Sequence, residues 1–228
     1  MIDLKGKRIM IISPHPDDEI IGCGGLIMRS KREKADMLVV YACVGSSRQL
    51  VTGHTEEKTR LKEIEKVSKI GGFRYHIMFI GEFFKLDVRP QKEIVDKIED
   101  LSEKYGPDII CIPFGKSYDQ DHRALFSACI TALRPVPRSV RHMPDVVIEY
   151  EEPYSWTMGE IFAPNFYIDL NEEDINGKVR LMKAHATQDR KDPFPRSAEN
   201  LRRLAKMRGV ETGTSYAEAY RILRMIVR

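Results

Sequence analysis

Residues 8–25 of the chain read RIMIISPHPDDEIIGCGG, an apolar run passing into a histidine, three acids and three glycines. Arg8 to Ile12 is an apolar run that predicts a short buried strand, and Gly22, Gly24 and Gly25 lead toward a helical pattern placed at Gly24 to Lys34. Between them stand His15, Asp17, Asp18 and Glu19. In a parallel sheet the reactive crevice lies at the carboxyl ends of the strands, where this group falls. Neighbouring ionised acids repel one another when buried without a cation, so the run reads as a metal site with a base built into it.

Outward from that stretch, apolar runs and helical patterns alternate. Strands are expected at Asp36 to Cys43, His76 to Ile80, Asp108 to Ile112, Val146 to Tyr150 and Phe166 to Leu170. Helices are expected at Thr55 to Ile70, Gln91 to Tyr105, Asp121 to Leu133, Glu172 to Ala186 and Glu199 to Arg208, leaving the last sixty residues mostly helical. The alternation predicts an α/β, Rossmann-like fold: a mostly parallel sheet with helices on both faces and the site at the strand carboxyl ends. No linker divides the chain, so one domain is expected over residues 1–228.

The chain has 228 residues, 42% hydrophobic and 31% charged, enough for a sizeable core. A net charge of +3, spread along the chain, argues against a nucleic-acid surface, while leaving room for an anionic substrate. The longest apolar run, Met37 to Val44, is too short to span a bilayer, and no signal segment opens the sequence. Cys23, Cys43, Cys111 and Cys129 show no metal-type pairing; Cys43 and Cys111, at the ends of apolar runs, are expected as small buried thiols, and a reducing cytoplasm is the expected setting.

Within the motif, Pro16 stiffens a turn from which His15 and Asp18 can reach one ion. A catalytic zinc keeps three protein ligands and a water, which leaves Asp17 free to take a proton from that water. Glu19 either orients a ligand or caps the following helix. The third ligand should come from another strand end, and the loop after Asp108 to Ile112 carries Tyr118-Asp119-Gln120-Asp121-His122. His122 fits as that ligand, with Asp121 to orient a histidine or catalytic group. Taken alone, such acids are usually helix caps.

These residues resemble the zinc-dependent sugar N-deacetylases that include PIG-L and the LmbE-like proteins. The resemblance rests on SPHPDDEIIGCGG (13–25), TRLKEIEKVSKIGG (59–72) and PFGKSYDQDHR (113–123), then on FAPNFYIDL, KVRLMKAHATQ, PRSAENLRRLAKMRG and SYAEAYRI in order toward the carboxyl end. It implies Zn2+ held by His15, Asp18 and His122, Asp17 as general base, and Arg60 and Asp87 on the sugar hydroxyls. The implied reaction removes the acetyl group from a small-molecule N-acetylglucosamine-type conjugate. Fe2+ suits the same donors.

One position departs from the family pattern. Where its second motif often begins with histidine, assigned to protonating the leaving amine, this chain has Asp119. Asp119 serves that role only when protonated; His185 and His142 are the alternative donors, or Asp17 returns the proton itself. Two other readings stand beside the deacetylase: a non-catalytic metal- or sugar-binding protein on the same fold, and a metal-dependent hydrolase of another amide or a phosphoester. Tyr150, Tyr154 and Trp156 are core or interface aromatics, or platforms for a sugar ring. Arg196, Arg202, Arg203, Lys206 and Arg208 read as a solvated helix face; anion binding or a subunit contact in a homo-oligomer is the competing reading.

Overall fold

The computed structural model describes residues 4–49, 53–81, 84–153 and 160–227. Tyr154 and Trp156 lie outside the described residues. The chain runs β1 (Arg8–Ser13), α1 (Asp18–Arg32), β2 (Asp36–Val44), β3 (Ser47–Gln49), β4 (Gly53–Thr55), α2 (Glu57–Gly71), β5 (Arg74–Ile80), α3 (Gln91–Tyr105), β6 (Ile109–Ile112), α4 (Gln120–Ala132), β7 (Val146–Tyr150), β8 (Phe166–Leu170), α5 (Glu172–Ala184), α6 (Ala198–Thr212) and β9 (Tyr216–Met225).

Strand pleating splits each central strand between two cores. Ile9 and Ile11 of β1, Val39 and Tyr41 of β2, and Ile109 and Cys111 of β6 pack with α1, α2, α5 and α6 residues such as Leu26, Ile64, Leu181 and Leu201. Met10, Ile12, Val40, Ile110 and Ile112 point the other way, against Ile94 and Ile98 of α3 and Leu125 and Cys129 of α4. Both faces are covered, which is why these strands read as continuous apolar runs rather than alternating ones. All four cysteines are buried and free, among them Cys43 and Cys111, expected as small core thiols.

The seven-stranded sheet has the order β5-β2-β1-β6-β7-β9-β8. Parallel pairing extends from β1 to β2 on one side and to β6 on the other. The chain therefore reverses its direction of travel across the sheet between β1 and β6, and the crevice of an open α/β sheet opens at such a point. The turn after β1 and the loop after β6 are the two segments carrying the candidate ligands.

Three expectations change. α1 begins at Asp18, before the expected start at Gly24, so Gly22 lies inside it instead of ahead of it. A Cβ at Gly22 would stand 2.2 Å from Cδ2 of Tyr150, and one at Gly25 would stand 2.3 Å from Cδ1 of Leu170. These glycines let the helix press onto the sheet, at an intrinsic cost of about 1 kcal/mol each relative to alanine. The carboxyl-terminal region is not all helical: β9 is a ten-residue strand inserted antiparallel between β7 and β8. Its inward-facing Glu218 disguises the buried face. The short β3–β4 hairpin is the third difference.

Glu218 is nevertheless fully engaged. Its carboxylate accepts from the backbone N–H groups of Gly25 and Leu26, each at 2.7 Å, from Lys178 Nζ at 2.7 Å and from the Tyr220 hydroxyl at 2.8 Å. Lys178 also donates to the Ile21 carbonyl at 2.7 Å. A buried ion pair broken on one side leaves a charge without compensation. Glu218→Ala is expected to lower stability by about 3–5 kcal/mol in denaturant titration; a loss under about 1 kcal/mol, the size of a surface pair, would contradict this account.

Candidate active site

The turn after β1 is pinned before it reaches the first candidate ligand. Ser13 Oγ donates to the His15 carbonyl at 2.7 Å, and the Cys43 N–H of β2 donates to the Pro14 carbonyl at 3.1 Å. Asp17, the N-cap of α1, has φ 131°, a region that non-glycine residues rarely occupy. Its carbonyl starts the helix by accepting from Ile20 and Ile21. Asp18 and Glu19 then fall in the first helical turn, where backbone N–H groups favour negative charge.

The structure brings His15, Asp18 and His122 together. Oδ2 of Asp18 lies 3.4 Å from His15 Nδ1 and 3.2 Å from His122 Nε2. One donor atom from each residue falls within 4.8 Å of the others. His122 reaches this place from the first turn of α4, after β6, more than a hundred residues further along the chain. Burial opposes a charge on His15, but Cys43, Asp121 and Asp18 outweigh it and hold its pKa well above 6.5. Burial likewise opposes a charge on His122, where Asp18 and Glu152 prevail and raise its pKa well above 6.5. Asp18 responds in the opposite sense: burial would raise it, yet the two imidazoles hold it far below the usual carboxylate range.

Each imidazole is backed on its far side. His15 Nε2 meets Oδ2 of the fully buried Asp121 at 2.9 Å, while Asp121 Oδ1 accepts from the Leu86 N–H at 2.9 Å. Asp121 thus stands behind His15, in the orienting position. His122 Nδ1 faces Glu152 Oε2 at 3.5 Å. Glu152 was missed from sequence, although it follows the buried strand β7 just as the other candidates follow β1 and β6. Asp119 is the N-cap of α4, and its Oδ1 accepts from the N–H groups of Asp121 at 2.8 Å and His122 at 3.4 Å. Its visible task is to start the helix that carries His122.

Asp17 lies beside this cluster. Burial and the neighbouring Asp18 push its pKa above 3.8, while Arg196, Arg60 and His185 pull it down. Nη1 of Arg196 donates to Asp17 Oδ2 at 2.9 Å. The basic cluster therefore divides. Arg196 turns into the site and Arg208 pairs with buried Glu151, while Arg202 and Arg203 bind Glu172 and Asp192 near the surface. No local pattern marks Arg196 as different from its neighbours, because its partner lies 179 residues away.

Glu19 resolves as an anchor. Fully buried, it accepts from Tyr41 Oη at 2.8 Å and pairs with His185 Nε2 at 2.7 Å through Oε1, while Oε2 accepts from the Asp17 N–H at 2.9 Å. His185 is thereby engaged behind Asp17. His142 bonds to the Pro107 carbonyl at 2.8 Å, ahead of β6, at the end of the sheet opposite the cluster; it is no candidate proton donor. Arg60 is 1% exposed on α2, with Nη1 3.3 Å from Thr187 Oγ1 and a favourable charge interaction with Asp17. Asp87 is exposed and lines a groove with Gln120 and Arg123. Tyr150 is a core residue, its hydroxyl on the Ile12 carbonyl. The Phe84 ring stands 4.9 Å from that of His15.

The raised imidazole pKa values carry a sign for stability. A group whose pKa is higher in the folded than in the unfolded chain stabilises fully below its unfolded value and progressively less as pH rises. Protein stripped of divalent ions should therefore lose melting temperature as pH rises from 6.5 toward about 8.5, where thiols begin to titrate. Scanning calorimetry with chelator present measures it; a melting temperature that climbs over that range would refute the assigned charge states.

Diacetylchitobiose deacetylase of Thermococcus kodakarensis is 24% identical to this chain over 95% of it and 83% of the relative. The solved structure of N,N'-diacetylchitobiose deacetylase from Pyrococcus horikoshii matches with a TM-score of 0.72 at 20% identity, covering 95% of this chain and 84% of that one. A 4-carboxy-2-hydroxymuconate hydratase from Pseudomonas putida matches with a TM-score of 0.73 at 19% identity, covering 97% and 98%. At such identities the structural matches establish the fold. Residues 10–133, more than half of the chain, match the PIG-L family, described as GlcNAc-PI de-N-acetylase. With those residues spanning both histidine motifs, the protein belongs to the PIG-L family.

Proposed function

We propose that this chain is a divalent-metal-dependent N-deacetylase that hydrolyses the acetamide of a glucosamine-type sugar conjugate. The observation that carries the proposal is the convergence of two imidazoles and one carboxylate from two segments far apart in sequence, with a second carboxylate beside them. Two donors about 2.1 Å from one tetrahedral ion stand about 3.4 Å apart. The Asp18 to His15 and Asp18 to His122 separations, 3.4 and 3.2 Å, fit that spacing. Imidazole and carboxylate suit Zn2+, and Fe2+ is accommodated by the same set. His15, Asp18 and His122 would hold the ion. An ion held there would supply polarisation of the acetamide carbonyl and a lowered pKa for its bound water.

The remaining work belongs to the chain's own side chains. Asp121 and Glu152 orient the two imidazoles from behind. Asp17 takes a proton from the attacking water as oxygen adds to the carbonyl carbon. When the C–N bond breaks, Asp17 returns that proton to the departing nitrogen, giving acetate and a free amine. This double duty follows from the absence of a histidine at position 119, where the side chain caps α4. Arg60 lies close enough to Asp17 to influence its charge. Homology to diacetylchitobiose deacetylase supports a GlcNAc-type substrate. The hydratase on the same fold makes the assay necessary, since fold alone does not determine chemistry.

Zinc-loaded protein should release free amine from N,N'-diacetylchitobiose, and a chelator should abolish the release. Asp17→Ala should lower turnover by at least about 10²-fold, the usual scale of general acid–base catalysis, with zinc content unchanged. Full activity in that variant would remove Asp17 from the reaction.

The metal assignment has its own readout. Zinc at a hundred times its dissociation constant should stabilise the folded chain by about 2.7 kcal/mol. In His122→Ala the melting shift and the bound zinc should both fall. Equal zinc stoichiometry in the variant and the parent protein would rule out the ligand role.

A further inference from the structure

The backbone of Asp17 is held by Glu19, which accepts its N–H at 2.9 Å, but its carboxylate needs a separate restraint. Asp17 follows Pro16 at a positive φ and lies beside Asp18, whose like charge drives the two carboxylates apart. Residues in such backbone regions persist where the surrounding structure over-determines them. Arg196 supplies a contact to the side chain, Nη1 to Oδ2 at 2.9 Å, with the two side chains 21% and 6% exposed.

The stem of Arg196 is itself fixed. It precedes Ser197, the N-cap of α6, whose side chain accepts from the Asn200 N–H at 3.2 Å. The Phe194 carbonyl accepts from the Ser197 N–H and from Asn200 Nδ2, both at 2.9 Å. A guanidinium on this stem is thus a preset point of positive charge, and its planar fork loses less freedom on binding than an ammonium does.

We propose that Arg196 is a positioning residue for Asp17: it holds the carboxylate in the cleft beside Asp18 and so sets turnover without helping to hold the metal. The inference rests on the role given to Asp17 above. It assigns the α5–α6 connection, distant in sequence from both histidine motifs, to the rate of the reaction. A misplacement of about 1 Å at a reacting group costs on the order of 10²-fold in rate.

The test uses the full zinc-loaded chain with N,N'-diacetylchitobiose. Arg196→Ala should lower kcat on the order of 10²-fold while KM and zinc content stay near parental values. Arg196→Lys, which keeps the charge, should recover part of the loss, and added guanidinium should restore the alanine variant selectively. A role confined to folding predicts neither recovery. Unchanged kcat in Arg196→Ala, a change in KM alone, or a loss that neither lysine nor guanidinium repairs overturns the proposal. Crystal structures of the parent and Arg196→Ala proteins decide it without activity. An Asp17 carboxylate turned away from Asp18 in the variant supports it, and the same rotamer in both overturns it. Should the parent protein release no amine, the deacetylase reading fails, and the paired structures still decide the role of Arg196.

Discussion

Carboxylates crowded at one end of the sheet set the terms for everything around them. Asp17, Asp18, Glu19, Asp121 and Glu152 stand there with little exposure, and such groups cannot share a low-dielectric space without matched donors or cations. The structure supplies those partners individually. Asp18 faces two imidazoles, Asp121 faces one of them and a backbone N–H, Glu19 faces a tyrosine and a histidine, and Asp17 faces a guanidinium. The strained turn, the cap at Asp119 and the inward reach of Arg196 all serve this arrangement of charge.

Much of this was legible in the sequence. The strand followed by SPHPDDE placed the crevice, because a buried run ending in polar residues has few other meanings in an alternating α/β chain. His122 was recoverable for the same reason, at the end of β6. What escaped were contacts whose two halves look ordinary in isolation. Arg196 sits among four other basic residues, and Glu218 is an acid in a stretch otherwise patterned for a strand. The place of Gly22 inside α1 is not visible locally, because the aromatic ring that requires a glycine there lies on β7. Local pattern records what a segment can become; it does not record which distant atom will press on it.

The same scaffold carries a hydratase, so the family assignment gains meaning only through the atoms at the switch point. Here the departure at position 119 leaves a helix cap where a family histidine often stands, and the proposed mechanism accordingly concentrates proton handling on Asp17. A single carboxylate with both tasks must be well placed for each, which makes its surroundings matter more than they would with a dedicated acid.

The Leu86 N–H bound to Asp121 ties the segment after β5 to the buried cluster. The segment from Phe84 to Asp87 is thereby tethered to the same carboxylate that steers the His15 ring. Changes in the length or composition of that segment are mechanically linked to the tilt of an imidazole. An insertion or deletion there would have to keep one peptide N–H in register to leave that ring undisturbed.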